Sequence, residues 1–179
     1  MRDYEQHILY VFPGQGSQYA GMGSDLHGEF EVARKIYAQS SDVLGYDIAE
    51  LSFKDPEDKL NLTRYTQPAL LTHSVACLEI FRELTDDRLK PAIAAGHSLG
   101  EYTALVAAKV LSFESALKLV QKRGELMGTH GEGEMSAFPL ALDVIKPIAE
   151  KHRCAVAGCN LPEQTVVGGR AEDLEMVEQ

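Results

Sequence analysis

The chain of 179 residues is long enough for one sizeable hydrophobic core or two small ones. Its net charge of −10, from 17 basic and 27 acidic residues without a basic block, excludes a nucleic-acid partner. Three cysteines without metal-ligand spacing predict neither disulfides nor a zinc site. With no signal sequence and no apolar stretch of membrane-spanning length, this pattern indicates a cytoplasmic protein away from the membrane.

The first part of the chain is predicted to alternate strands with helices. The apolar run over residues 8–12 is typical of a strand buried on both faces, and "AIAA" before Gly96 predicts a second strand. Apolar residues at helical spacing predict helices over 25–44, from Pro68 onward, over about 101–110, and after the capping residue Ser112. This order predicts an α/β fold with a parallel, doubly wound sheet.

A different order of elements is predicted after the glycine-rich stretch that ends at Gly133. Strands over 135–142, 155–159 and 165–167 and helices over 143–152 and 171–179 give the order β-α-β-β-α. That order is a ferredoxin-like unit without its last strand. We therefore expect an α/β hydrolase-like core over residues 1–131 and an incomplete ferredoxin-like α+β subdomain over 132–179.

Ser98 lies in the sequence GHSLG, between the second predicted strand and a predicted helix. Gly-x-Ser-x-Gly in this position predicts a nucleophile elbow, a sharp turn that lifts the serine hydroxyl above the edge of the sheet. The serine would also lie at a helix N-terminus, where free N–H groups stabilise a developing oxyanion. The alternative is a simple turn followed by a helix N-cap.

The glycine-rich segment 12–23 follows the first predicted strand. Two nucleotide-binding patterns fail here, because a dinucleotide fingerprint requires glycine where Tyr19 stands and a P-loop requires lysine where Met22 stands. The segment is expected to place Gln15 at the carboxyl edge of the sheet, where ligands bind in open α/β folds. There its backbone N–H and that of Leu99 could form an oxyanion hole. The alternative is a glycine-rich turn with an exposed amide.

Four segments of the chain carry a resemblance to a known family: "YVFPGQGSQYAGMG", "TQPALLTHSV", "AGHSLGEYTALVAA" and "LVQKRGELM". In order and spacing they resemble malonyl-CoA:acyl carrier protein transacylases and the related acyltransferase domains of fatty acid and polyketide synthases. The resemblance covers essentially the whole chain. It implies transfer of a malonyl group from malonyl-CoA to the phosphopantetheine thiol of acyl carrier protein, with no metal and no resident cofactor.

The resemblance also implies roles for individual residues. Ser98 would be the acylated nucleophile and Arg123 would bind the malonyl carboxylate. The remaining candidates are Gln15 and Leu99 in the oxyanion hole, Gln67 beside the site, and Asn160 supporting it from the turn in "NLPEQTVVGG". Leu99 beside the serine resembles the malonyl-selective members more than the methylmalonyl-selective ones.

Arg123 has two interpretations on physical grounds alone. Near the end of a helix it could offset the helix dipole. Pointing into a cleft, its planar guanidinium could bind a carboxylate through two hydrogen bonds. An uncharged acyl group would leave that cation unpaired, which costs about 3–5 kcal/mol at a buried position. The second interpretation therefore explains binding and selectivity together.

The family's catalytic histidine lies downstream of its arginine, in a segment that this sequence does not contain. The six histidines present have no context that favours a catalytic base: His7, His27, His73, His97, His130 and His152. Because a serine without a base is a weak nucleophile, we expect a fragment, or half of a split enzyme completed by a second chain. A serine hydrolase or thioesterase is a further alternative.

Overall fold

The computed structural model describes residues 8–179, and His7 lies outside the described part. The chain divides after Thr129 into two compact units. The first is α/β with a parallel sheet, and the second is an α+β unit with an antiparallel sheet. That residues 1–131 and 132–179 behave as separate domains stays a prediction.

The first unit is built mainly of helices around a short parallel sheet. Its elements are β1 (Leu9–Phe12), α1 (Ser24–Glu29), α2 (Glu31–Leu44), α3 (Ile48–Phe53), α4 (Thr63–Leu84), β2 (Ile93–Gly96), α5 (Gly100–Ala107) and α6 (Phe113–His130). β1 and β2 pair in parallel, with Leu9 opposite Ile93 and Phe12 opposite Gly96. Ser112 caps α6 as predicted, because its hydroxyl accepts from the Ser115 N–H at 3.1 Å.

The core of the first unit lies among the helices. Tyr37, Leu71 and Leu117, from α2, α4 and α6, belong to one buried cluster. Burial of such side chains contributes about 1.5–3 kcal/mol each. The long α4 places most of its residues in this core, so its position is firmly fixed.

One face of the β1–β2 sheet is open, so the expectation of burial on both faces is wrong. Tyr10 and Phe12 pack on the side of α4 and α5. Leu9, Val11 and Ile93 share the opposite face through the strand register, and Val11 is 68% exposed. Among residues 8–129, no element of the first unit covers this face.

Two helix predictions need correction. The helix expected over 25–44 is broken at Phe30, whose extended backbone (φ −110°, ψ 127°) separates α1 from α2. The helix expected from Pro68 begins at Thr63. The carbonyl of Leu62 accepts from the N–H groups of Tyr65 and Thr66, which closes a helical turn ahead of the proline.

The second unit contains β3 (Glu134–Phe138), α7 (Leu142–Lys151), β4 (Ala155–Leu161), β5 (Gln164–Gly169) and α8 (Ala171–Glu178). The predicted order β-α-β-β-α is therefore confirmed. The sheet order is β3-β5-β4, and both pairings are antiparallel. Ile145 and Leu174, from the two helices, pack with Val167 of the central strand in a separate small core.

Candidate active site

Ser98 lies on a strained turn between β2 and α5. Its φ of +53° is in the left-handed region, which costs a non-glycine residue roughly 1–2 kcal/mol. The turn is tied to β1, because the His97 N–H donates to the Phe12 carbonyl at 3.1 Å. The Ser98 side chain is exposed, as a nucleophile at the top of a sheet must be.

The flanking glycines are required by close backbone approaches. A Cβ at Gly96 would lie 2.0 Å from the carbonyl carbon of Gly100, and a Cβ at Gly100 would lie 2.2 Å from the Phe12 carbonyl oxygen. Any other residue would push α5 away from the strands. The geometry of this turn is that of the predicted nucleophile elbow.

A chain of hydrogen bonds connects Ser98 to the helical core. Arg123 on α6 donates from Nη2 to Ser98 Oγ at 2.9 Å and from Nη1 to Gln67 Oε1 at 2.8 Å. Gln67 on α4 is fully buried, and its Nε2 lies 3.4 Å from the Met127 sulfur. The Gln67 amide therefore holds the guanidinium with Nη2 directed at the Ser98 hydroxyl.

The Arg123 guanidinium is available for an anionic ligand. It is half-buried, its carbon lies 5.9 Å from the centre of the Tyr102 ring, and it forms no ion pair within residues 8–179. Arg123 stands well before the last turn of α6, where a dipole-offsetting role would require it to be, so that interpretation is wrong. A carboxylate could replace the Ser98 hydroxyl at Nη2.

The loop that carries Gln15 runs beside the elbow. A Cβ at Gly14 would lie 2.7 Å from the His97 carbonyl oxygen, so the two loops touch through backbone atoms. Gln15 Nε2 donates to Thr63 Oγ1 at 3.1 Å. Leu99 is buried and directly precedes α5, where helix N–H groups lack intrahelical partners. The oxyanion hole of Gln15 and Leu99 stays a prediction.

Asn160 is in the second unit, on β4, where its Nδ2 donates to Gln164 Oε1 at 3.3 Å. Its supporting role stays a prediction. No group of three or more histidine, cysteine or acidic side chains in the described part of the chain could hold a metal ion.

The described histidines form no hydrogen bond with Ser98. His27 packs edge-on against Tyr37 and Phe53. His73 is largely buried on α4, with Nε2 3.6 Å from the Cys77 sulfur, and burial lowers its pKa. Of the other three, His97 is exposed in the elbow, while His130 and His152 lie at helix ends.

Two side chains next to the site were missed by the sequence reasoning. Met127 follows Arg123 by one helical turn, a spacing that places both on the same face of α6 and could have identified it. Thr63 has no such pattern, because its contact with Gln15 joins segments far apart in the chain.

A strained serine at a strand–helix turn, bonded to an arginine that has no carboxylate partner among residues 8–179, has the geometry expected of a serine acyl-transfer site. Comparison with known proteins agrees: the profile of the family described as "Acyl transferase domain" matches residues 9–179. The chain belongs to this family.

Several relatives are malonyl transacylases. A polyketide biosynthesis malonyl CoA-acyl carrier protein transacylase of Bacillus subtilis is 43% identical over 173 residues, covering 94% of this chain and 58% of the relative. A second B. subtilis protein, a malonyl CoA-acyl carrier protein transacylase, is 40% identical, with coverage of 96% and 56%. This chain thus spans somewhat over half the length of these relatives.

Solved structures agree in fold. The malonyl CoA-acyl carrier protein transacylase of Coxiella burnetii superposes with a TM-score of 0.90 at 40% identity, covering 97% of this chain and 57% of that one. A type II PKS malonyl-transacylase, solved in complex with its acyl-carrier protein, gives 0.87 at 41% identity, with coverage of 94% and 57%. The predicted fold class, a hydrolase-like core with an incomplete ferredoxin-like subdomain, is confirmed.

Proposed function

We propose that the chain carries the malonyl-binding and acyl-accepting half of a transferase that moves malonyl from malonyl-CoA to the phosphopantetheine thiol of acyl carrier protein. The observation that carries this proposal is the Arg123 guanidinium, held by Gln67 and lying 2.9 Å from the Ser98 hydroxyl. One cation beside one nucleophile suits an acyl group that ends in a carboxylate. The relatives' names, which include malonyl CoA-acyl carrier protein transacylase, support the same substrate pair.

In the first half of the reaction, the malonyl carboxylate takes the place of Ser98 Oγ on Arg123 Nη2. Ser98 Oγ then attacks the thioester carbonyl, while its proton passes to a base. The carbonyl electrons move to the oxygen, which Gln15 and Leu99 stabilise through their backbone N–H groups. The C–S bond then breaks, and coenzyme A leaves as a thiol once its sulfur has taken up a proton.

In the second half, the carrier protein's thiol loses its proton to the base and attacks the Ser98 ester. The bond between the malonyl carbonyl carbon and Ser98 Oγ then breaks, and Ser98 Oγ regains its proton from the base. The malonyl group leaves as a thioester of the carrier. Ping-pong kinetics follow from this covalent intermediate. The proposal needs no metal and no resident cofactor.

We propose that the catalytic base is not supplied by this half of the enzyme. No described histidine lies in a hydrogen bond with Ser98, so we propose that a histidine on a further segment, or on a second chain, completes the site. The proposed location is the cytoplasm. None of the described helices is long and apolar enough to cross a membrane.

The lack of a described base also favours a second candidate function, in which the chain binds malonyl-CoA or carrier protein without turnover. A serine hydrolase or thioesterase is the weaker alternative, because Arg123 selects a carboxylate that such an activity does not require.

Intact-protein mass spectrometry before and after malonyl-CoA tests the proposal. A malonyl adduct that is absent in Ser98→Ala and that carrier protein removes supports the transferase. An adduct that water removes equally fast supports a hydrolase instead. No adduct from the chain alone, but one after the relatives' downstream segment is added, identifies a half-enzyme. No adduct under either condition contradicts the transferase.

A further inference from the structure

The short segment over residues 61–64, at the start of α4, touches two parts of the site at once. Thr63 Oγ1 accepts from the Gln15 side chain at 3.1 Å, and Asn61 Oδ1 accepts from Gln18 Nε2 at 2.9 Å. These are two amide hydrogen bonds from the glycine-rich loop to side chains of one short segment. Both bonds use side-chain amides of the loop, so neither of them occupies the Gln15 backbone N–H.

The same segment also supports α6. A Cβ at Gly124 would lie 2.9 Å from the Thr63 carbonyl oxygen and 2.8 Å from the Arg64 Cα, so α6 packs directly on this backbone. Gly124 follows Arg123 in sequence. Thr63 therefore contacts α6 beside the carboxylate-binding residue with its main chain and the loop with its side chain.

The far end of the loop is anchored separately, because the Gly21 N–H donates to the Ser52 carbonyl at 2.9 Å and Met22 is buried in the core. Gly16, at φ +106°, and Gly21, at φ +99°, have backbone conformations that side chains rarely adopt. The loop's own bonds, such as Ser17 Oγ to the Gly14 carbonyl at 2.7 Å, hold its shape but not its position. At the Gln15 end, the loop's position near the elbow is set by Gly14 against His97 and by the bonds to the 61–64 segment.

We propose that Thr63 is a positioning residue for the oxyanion hole: its hydroxyl holds the Gln15 loop at a fixed distance from Ser98 and Arg123. The inference rests on the proposed function, because it takes Ser98 as nucleophile and the Gln15 N–H as an oxyanion donor. It predicts that loss of the hydroxyl weakens stabilisation of a tetrahedral adduct and leaves carboxylate binding unchanged. Oxyanion donors act only when they are held in place before the reaction.

Amide hydrogen exchange tests the structural part without requiring turnover. In Thr63→Val, exchange at Gln15 and Gly16 should be about two- to tenfold faster, the range for loss of one ordinary hydrogen bond. Exchange in the buried part of α4 should be unchanged. Thr63→Ser keeps the hydroxyl and should behave as the parent, and Thr85→Val, at the other end of α4, serves as the matched control. An unchanged loop in Thr63→Val overturns the proposal.

Two small ligands test the functional part. A carboxyalkylboronic acid forms a boron–oxygen bond with Ser98 while the serine proton passes to the buffer, giving a tetrahedral anion that ¹¹B NMR detects. Malonate occupies only the carboxylate position at Arg123. We expect Thr63→Val to weaken boronate binding about two- to tenfold, with malonate affinity unchanged. Equal weakening of both ligands, or of neither, contradicts the proposal.

A double-mutant cycle tests the route through Gln15. Gln15→Met removes the side-chain amide but keeps the backbone N–H, so adding Thr63→Val to it should produce no further loss of boronate affinity. Additive losses overturn the proposed coupling. If the parent chain binds neither ligand, the proposed function fails, and the exchange measurement still decides whether Thr63 holds the loop.

Discussion

Replacement of Arg123 by methionine is expected to abolish the preference for malonyl-CoA over acetyl-CoA. In a Ser98→Ala background, which removes the proposed nucleophile, Nη2 loses its serine partner while Gln67 still holds Nη1. A malonyl carboxylate then gains a charge-assisted hydrogen bond at Nη2, worth about 1.5–3 kcal/mol. The guanidinium is only half-buried, so the lower value applies, and about 1.5 kcal/mol is roughly tenfold in affinity.

Isothermal titration calorimetry of both thioesters gives the ratio of dissociation constants directly. We expect a ratio of about ten with Arg123 present and about one in Arg123→Met. Arg123→Lys keeps the charge but cannot bond Gln67 and a carboxylate in the same plane, so it should give an intermediate ratio. Arg34→Met, at an arginine paired with Glu31 on α2, controls for net charge.

A ratio that stays near ten in Arg123→Met would refute the reasoning, because another group must then bind the carboxylate. A ratio near one in both proteins would mean that Arg123 does not face the acyl group. The roughly tenfold value is smaller than the one expected for a buried cation, because this arginine keeps contact with solvent.

Three further predictions concern stability. Gly96→Ala should lower the free energy of unfolding, measured by urea titration, by about 3 kcal/mol, because its Cβ would collide with Gly100. Gly128→Ala should raise it by about 0.5–1 kcal/mol, because a Cβ at this helical position meets no other atom. Equal effects of the two substitutions would contradict this prediction. Ser98→Gly should be about 1 kcal/mol more stable than Ser98→Ala by relieving the positive φ, and a lower stability would argue against strain. Burial lowers the pKa of His73, so the stability that neutral His73 contributes is present above the pKa of an unfolded histidine and is lost as pH falls through the folded value. The free energy of unfolding of His73→Gln should therefore fall less steeply between pH 7 and 5 than that of the parent. Parallel curves of the free energy of unfolding against pH would disprove this prediction.

The parts of the site that lie within one sequence motif could be predicted. The motif GHSLG predicts the elbow without knowledge of distant contacts, because its two glycines are needed where Gly96 approaches Gly100 and Gly100 approaches Phe12. The Ser112 cap is equally local. The order of strands and helices in the second unit follows from hydrophobic periodicity alone.

Features that depend on distant contacts could not be predicted in the same way. The family resemblance implied that Gln67 lies beside the site, but its burial and its bond to Arg123 appear only when α6 packs against α4. The break at Phe30 falls inside a continuous apolar pattern, so periodicity alone extends one helix across it. The short helix α3 was missed, although Asp47 accepts from the Glu50 N–H as an N-cap and could have signalled its start.

The positive φ at Ser98 has an evolutionary consequence. At most positions stability and function favour the same residue, but here the backbone alone favours glycine or asparagine. The proposed role of Ser98 as nucleophile would then explain why serine is retained against this backbone preference. In lineages that keep this fold and lose the chemistry, position 98 should be among the first to change, and it should change toward glycine.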